Sequence, residues 1–132
     1  MTRAELLAYA ASLYAALAKE ANVPLDDSAA GLAYQLDAVT TATASDSSNS
    51  AAQQALIEYH ALRKFRATLA ARSDTNSTGI RKGKSQIFDQ VNALIDDAAS
   101  RSATAGYPVA AAGEYGMTTI TLGYLEPEDT TA

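Results

Sequence analysis

Few residues in this chain of 132 amino acids have the types and spacing that catalysis or metal binding requires. His60 is the only histidine and there is no cysteine, so a lone imidazole has no soft second ligand with which to build a transition-metal site. Asp96 and Asp97 are sequence neighbours, and on a helix such side chains point about 100° apart. That divergence suits solvent exposure better than shared acid–base chemistry. We therefore expect no enzyme activity, no bound metal and no cofactor.

One glycine-containing stretch comes close to a phosphate-binding loop. The sequence from Gly79 to Ser85 reads Gly-Ile-Arg-Lys-Gly-Lys-Ser, which ends as a phosphate loop ends. It lacks the first glycine one position earlier, and no strand is predicted before it. We interpret the stretch as part of a turn and not as a nucleotide-binding site.

Positive charge is concentrated in one segment of an acidic chain. The net charge is −5, whereas the segment from Arg63 to Lys84 carries +6 and the remainder −11. An acidic protein is a poor candidate for general binding to nucleic-acid phosphates. A solvated basic helix end is the plainer explanation of the segment, and an inter-subunit or charged contact surface is the alternative. The residues of that candidate surface are Arg63, Arg66, Arg72, Arg81, Lys82 and Lys84.

Helical periodicity accounts for the first half of the chain. Thr2 and Glu5 form a capping-box pattern for a first helix, whose apolar stripe includes Leu13 and which we expect to end near Glu20 to Asn22, before Pro24. A second helix is predicted to start after Asp26 and Asp27, with Ser28 close by and Gly31 weakening it. Its buried face is marked by Leu32, Leu36 and Val39, and residues 40–49 are predicted to be a loop.

Two long amphipathic patterns follow and predict a helical hairpin. Ser50 is the expected cap of the third helix, with Gln53 at the capping-box position, and the pattern runs to about Arg72. A turn over residues 73–83 and a cap at Ser85 precede the fourth helix. Its apolar residues include Leu94, and we expect it to stop at Gly106, before Pro108. Residues 1–108 are therefore predicted to form one all-α domain, a small four-helix bundle with a long hairpin.

Residues 109–132 are predicted to be an extended C-terminal tail. Residues 117–125 alternate as a strand does, and a single strand needs a partner strand, which we expect from another molecule. The alternative is an irregular tail that alternates by chance, with Gly123 inside it. The candidate partner-binding residues of the tail are Tyr115, Met117, Ile120, Leu122, Tyr124 and Leu125.

The order of these elements resembles the head-tail adaptor family, also called connector or head-completion proteins, of tailed bacteriophages and gene transfer agents. A short N-terminal helix pair precedes a long helix with Tyr59-His-Ala-Leu-Arg-Lys-Phe-Arg66. After a turn, Gly83-Lys-Ser-Gln-Ile-Phe-Asp-Gln-Val91 leads into a helix that ends with Ala105-Gly-Tyr-Pro108. The resemblance spans roughly Glu5 to Pro108.

That resemblance implies a structural subunit located in the virion neck, between head and tail. Twelve copies would form a homo-oligomeric ring under the portal, bind the portal protein through the C-terminal tail, and meet a tail-side stopper or completion protein. Double-stranded DNA would pass transiently through the ring. The sequence predicts neither a signal peptide nor a membrane span, so we expect assembly in the host cytoplasm. The alternative is a small helical DNA-binding or regulatory protein that uses the basic segment 63–84.

Overall fold

The structure is a computed structural model that describes the backbone of residues 1–73 and 78–110 and the side chains of residues 1–71 and 86–110. This part of the chain is built from four α-helices, which confirms the predicted all-α class. They are α1 (Arg3–Ala21), α2 (Ala33–Ala42), α3 (Ser50–Ser73) and α4 (Thr78–Thr104). The predicted strand at residues 117–125 and the predicted tail contacts lie outside the described residues.

Helix α3 is the centre of the bundle. It packs against each of the other three helices, and α1 also meets α2. Four consecutive residues, from Leu56 to Tyr59, are buried, which is possible only when a helix is covered on all sides. At about 1.5 Å per residue, its 24 residues extend about 36 Å. A helix covered in this way shows little contrast between its faces, so the positions of its neighbours could not be derived from its own sequence.

The core is made of modest side chains, many of them alanine. Phe65 is its largest fully buried residue, and it meets the ring of Tyr14 edge-on, with 6.3 Å between the ring centroids. Two residues of the predicted apolar stripes are exposed to solvent, Leu13 at 50% and Leu94 at 41%. Those two assignments were wrong, because each residue lies at the margin of its helix face.

Helix α1 begins and ends where the sequence predicts. The Thr2 hydroxyl accepts the Glu5 amide and the Glu5 carboxylate accepts the Thr2 amide, so the capping box is present. At the other end Asn22 has φ +60°, in the left-handed region, and its N–H bonds the last carbonyls of the helix. The backbone of Tyr14 is non-helical and bends the helix in the middle.

The start of α2 differs from the prediction. The helix begins at Ala33, after Leu32, and not after Asp26 and Asp27. The two aspartates have other roles: the Asp26 carbonyl accepts the Leu32 amide, and Asp27 binds the Arg3 guanidinium through two hydrogen bonds of 2.6 and 2.9 Å. Arg3 also binds Asp37 of α2 and thereby ties the start of α1 to the second helix. Asp27 therefore pairs with a distant arginine and does not cap α2, as its position in the sequence had suggested.

The end of α2 also differs, because the helix continues to Ala42 into the predicted loop. Thr40 and Thr43 donate their hydroxyls to the carbonyls of Leu36 and Val39 four residues earlier, at 3.0 and 2.8 Å. A threonine that satisfies its hydroxyl in this way can remain helical. The loop to α3 is correspondingly short, residues 43–49.

The boundaries of the hairpin needed two corrections. Asn49, not Ser50, caps α3, because its side-chain oxygen accepts the Ala52 amide at 3.1 Å, while Gln53 turns inward and binds Thr43. The turn predicted for residues 73–83 is shorter, since α4 begins at Thr78, well before Ser85. Helix growth from a packed segment is cooperative, and it overrides the small cost of Gly79 and Gly83.

The end of α4 is as predicted. Gly106 has φ +102° and follows the helix as its left-handed residue. The Tyr107 amide bonds the Ser102 carbonyl at 2.8 Å and the Gly106 amide bonds the Ala103 carbonyl at 3.0 Å, which is the Schellman arrangement. Asn49 donates to the Ala105 carbonyl and Tyr107 donates to Asp46, so the end of α4 is fastened to the loop before α3.

The turn before α2 yields a prediction about Gly31, which lies outside the helix that it was expected to weaken. A Cβ at this position would lie 2.3 Å from Asp26 Oδ1 and 2.6 Å from the Asp26 carbonyl oxygen. Gly31→Ala should therefore lower the free energy of unfolding by about 1–3 kcal/mol, as overpacked sites do. Urea unfolding measures this value, with exposed Ala30→Ser as the matched control. A Gly31→Ala variant as stable as the control would contradict the tight turn.

Candidate functional site

The described residues hold two polar features that could carry function, and they lie on different sides of α3. The first, the Glu58 cluster, comprises Glu58 of α3, Tyr9 and Tyr14 of α1 and Arg101 of α4. The second, the basic groove, lies between α2 and α4 with α3 as its floor. Neither resembles a metal centre, since no three acidic or histidine side chains in the described part of the chain come together to hold an ion.

The Glu58 cluster is organised around a carboxylate that is only 4% exposed. Arg101 donates two hydrogen bonds to it, at 2.6 and 2.9 Å. Tyr9 and Tyr14 donate their hydroxyls at 2.6 and 2.9 Å. Four donors from two helices thus converge on one acceptor of the third helix. Arg101 is 44% exposed at its side chain and also binds exposed Asp97, so the cluster opens to solvent on the α4 side.

The cluster shifts the pKa values of its members in opposite directions. Burial alone would raise the pKa of Glu58, but the hydrogen bonds from Arg101, Tyr9 and Tyr14 outweigh it, and the pKa lies below its usual 4.5. Burial, followed by the hydrogen bond to the Glu58 carboxylate, raises the pKa of Tyr9 from 10.0 to about 12. The pKa of Tyr14 is also raised, by burial first and then by the charge of Glu58. At neutral pH the cluster is one anion held by one cation and two neutral phenols.

This arrangement suits a structural role better than acid–base catalysis. A general acid or base needs a pKa near the working pH, whereas Glu58 is held ionised and the tyrosines are held neutral. Both oxygens of the Glu58 carboxylate already accept hydrogen bonds, so neither is available to a reacting group. The cluster joins α1, α3 and α4 at a single point.

The basic groove has a volume of about 790 Å³ and follows one face of α3. Its floor is a helical row of α3 residues, Gln35 of α2 forms one wall, and Phe88 and Asn92 of α4 form the other. The floor residues are His60, Arg63, Lys64, Arg66, Ala67 and Ala70. Three of these carry permanent positive charge, and none of the described lining residues is acidic. The groove is therefore an anion-attracting surface whose floor is apolar only at Ala67 and Ala70.

Neighbouring groups position the side chains of the groove's cations. Arg66 donates to the Asn92 side chain at 2.9 Å, across to α4. Arg63 lies over the Tyr59 ring, 5.4 Å from its centroid, and Lys64 approaches the Ala29 carbonyl at 3.4 Å. These acceptors are an amide, an aromatic face and a peptide carbonyl, and each is neutral. Burial and the charge of Arg63 lower the pKa of His60, so its imidazole is neutral at pH 7.

Gln35 adds an unsatisfied group to the groove wall. Its Oε1 atom is buried and, within the described part of the chain, has no hydrogen-bond partner. A buried acceptor without a donor costs about 1–3 kcal/mol.

The structure brings together only part of the predicted basic surface. Arg63 and Arg66 line the groove, joined by Lys64, which was not among the predicted residues. The backbone of Arg72 lies near the end of α3 and that of Arg81, Lys82 and Lys84 in the first turns of α4, while their side chains lie outside the described residues. The stretch from Gly79 to Ser85 is helical, which excludes a phosphate loop there. Asp96 and Asp97 are exposed, as expected.

The Glu58 cluster was missed in the sequence, although two signals pointed to it. Glu58 lies between apolar residues on both sides, and an acid inside such a pattern needs donors when it is buried. Arg101 is the only basic residue after Lys84, which marks it as a specific partner. The tyrosines could not be assigned, because nothing in the sequence specifies the packing of α1 on α3.

The Glu58–Arg101 pair should contribute more to stability than an ordinary surface ion pair. Arg101→Met keeps much of the aliphatic stem and leaves a buried carboxylate without its cation, so we expect the free energy of unfolding to fall by about 2–4 kcal/mol. Asp97→Asn removes only the exposed partner of Arg101 and should cost less than about 1 kcal/mol. Denaturant unfolding of both variants decides: equal losses would show that Glu58 does not depend on Arg101.

The tyrosines of the cluster predict a loss of stability at alkaline pH. A pKa raised from 10.0 in the unfolded chain to about 12 in the folded protein gives Tyr9 a contribution that is complete below pH 10 and lost as pH rises towards 12. The difference in unfolding free energy between wild type and Tyr9→Phe should therefore shrink between pH 10 and 12. Tyr34→Phe, at a ring 65% exposed, is the control. A wild-type advantage over Tyr9→Phe that stays constant across this range would contradict the assignment.

No helix within residues 1–73 and 78–110 is long and apolar enough to cross a membrane. Comparisons with protein-family models, with curated proteins and with solved structures gave no match to this chain.

Proposed function

We propose that the protein is a structural head-tail adaptor subunit of a tailed bacteriophage or gene transfer agent. Copies of it form a ring under the portal, join capsid to tail and continue the DNA channel. The observation that carries the proposal is the order of the elements: a short helix pair, a long central α3 with Tyr59 to Arg66, and α4 closed by Gly106 to Pro108. This is the order on which the sequence resemblance rests.

Exposed apolar side chains give secondary support for assembly. Leu13 of α1, Tyr34 of α2 and Leu94 of α4 are 50%, 65% and 41% exposed. Single exposed apolar residues are common on soluble proteins, but three large ones on three helices of a small bundle offer contacts to more than one neighbour. A ring needs two different faces on each subunit, because its contacts run head to tail.

The Glu58 cluster and the fastened end of α4 suit a subunit that transmits force. The contacts of Asn49 and Tyr107 hold the Pro108 end of the domain against the loop before α3. The chain that follows therefore leaves from a fixed point. In the proposed adaptor, residues 114–132 reach the portal from this point, with Tyr115, Met117, Ile120, Leu122, Tyr124 and Leu125 as the contact residues.

The basic groove favours the second candidate, a small DNA-binding or regulatory protein. Arg63, Lys64 and Arg66 could neutralise phosphates of a duplex that lies along α3. Against it stands the net charge of −5, which disfavours general binding to nucleic-acid phosphates. We therefore rank nucleic-acid binding second.

Removing the tail tests the adaptor proposal. The full chain, mixed with the portal protein of the same phage or gene transfer agent, should enter portal complexes that are visible as rings by negative-stain electron microscopy. A chain lacking residues 114–132 should fail to enter them, because the backbone hydrogen bonds of an added strand would be lost. Circular dichroism provides the control that the shortened chain is still helical. Unchanged entry of the shortened chain would refute the tail role, and absence of both chains from portal complexes would refute the adaptor function.

A further inference from the structure

The basic groove changes in character along its length. Helices α3 and α4 run antiparallel, because the hydrogen bonds that join them pair later residues of α3 with earlier residues of α4. Ala70 lies one turn beyond Arg66 on α3, and Phe88 lies one turn before Asn92 on α4, so Ala70 and Phe88 share one end of the groove. The groove therefore has a cationic section that is followed by an apolar end.

The cationic section retains hydrogen-bond donors. Within the described part of the chain, Arg66 donates one hydrogen bond, to Asn92 Oδ1 at 2.9 Å, whereas a guanidinium group has five N–H donors. Because Asn92 accepts through its oxygen, its NH₂ group is a further donor beside Arg66. Lys64 approaches the Ala29 carbonyl at 3.4 Å and adds its charge from the α2 side. An anion in this section can accept hydrogen bonds from the guanidinium and the amide in a field that is made positive by Lys64.

From this arrangement we propose that the basic groove binds a small phosphate monoester with an apolar body. The phosphate head offers three acceptor oxygens, and the planar guanidinium of Arg66 can bind two of them side by side. The body lies against Ala70 and Phe88 at the apolar end. The groove volume of about 790 Å³ lies within the range of about 300–1,000 Å³ that is usual for small-molecule sites.

The charge of the whole chain favours a small anion over a long one. The segment from Arg63 to Lys84 carries +6 and the remainder of the chain −11. A duplex along α3 would bring many phosphates close to the acidic remainder, whereas a monoester brings a single phosphate that stays beside the cations. The site is therefore distinct from the duplex-binding surface of the second candidate function, and it does not depend on the adaptor function.

Three probes separate the head of such a ligand from its body. Phenyl phosphate carries both parts, inorganic phosphate carries the head alone and phenol carries the body alone. His60 lines the groove and is the only histidine, so its imidazole signals in the NMR spectrum of the full chain report on this site without ambiguity. The amides of Ala70 and Asn92 report on the two ends of the site.

Phenyl phosphate should shift these signals in a saturable way. For a ligand of its size, the expected dissociation constant is on the order of 1 mM. Inorganic phosphate should bind about tenfold more weakly, because it buries no ring. Phenol should give no saturable shift. An unresponsive groove at about 20 mM phenyl phosphate, or equal affinities for phenyl phosphate and inorganic phosphate, would overturn the inference.

Substitutions identify the groups that bind each part. Arg66→Gln should weaken the binding of both phosphates about fivefold or more, because a charge-assisted pair is lost. Lys19→Gln removes an exposed lysine of α1 and is the matched control, which should change neither affinity. Phe88→Ala should remove the advantage of phenyl phosphate and leave the affinity for inorganic phosphate unchanged. Phe88 packs against the core, so Arg66→Gln decides if Phe88→Ala does not fold.

Two further outcomes would overturn the inference. The first is an Arg66→Gln variant that binds phenyl phosphate as tightly as the wild type. The second is a set of groove signals that respond to duplex DNA but not to phenyl phosphate, which would favour the nucleic-acid site. No portal protein is present in these experiments, so their result is independent of the proposed adaptor function.

Discussion

The described bundle depends on one buried charge. The Glu58 carboxylate sits in the central helix, and three side chains from α1 and α4 must be in place to satisfy it. A buried carboxylate is tolerated only when its hydrogen bonds are complete, and its partners are costly to remove one at a time. The core around it contains many alanines, whose small side chains constrain the packing less than large ones do. We therefore infer that the Glu58 cluster helps to select the arrangement of α1 and α4 on α3.

Local signals in the sequence were sufficient where the physics is local. The capping box at Thr2 and Glu5, the end of α1 near Asn22 and the end of α4 at Gly106 were all predicted, because each depends on contacts within about one turn. The class of the fold followed from helical periodicity in the same way. The conformation of each of these elements is determined by residues that are close together in the sequence.

The predictions failed where residues distant in the sequence determine the local conformation. Asp27 is a good helix cap by type, yet it binds Arg3, twenty-four positions away. Thr40 and Gly83 favour breaks in a helix, but both are helical, and the Thr40 hydroxyl donates to the Leu36 carbonyl of the preceding turn. The candidate site followed the same rule: the basic run from Arg63 to Arg66 was evident, whereas Gln35, Phe88 and Asn92 joined it only through the approach of α2 and α4.

In the proposed adaptor, function is divided between the helical bundle and the sequence that follows it. The bundle provides a charge contrast and a fixed exit for the chain, and the proposed tail contacts provide the partner. The central physical claim is that Glu58 is ionised and held by its four donors. A ¹³C NMR titration of the Glu58 side-chain carboxyl measures this directly. We expect the pKa of Glu58 to lie below 4.5, the ordinary value for glutamate, and a midpoint at or above 4.5 would contradict the hydrogen-bonded, ionised carboxylate.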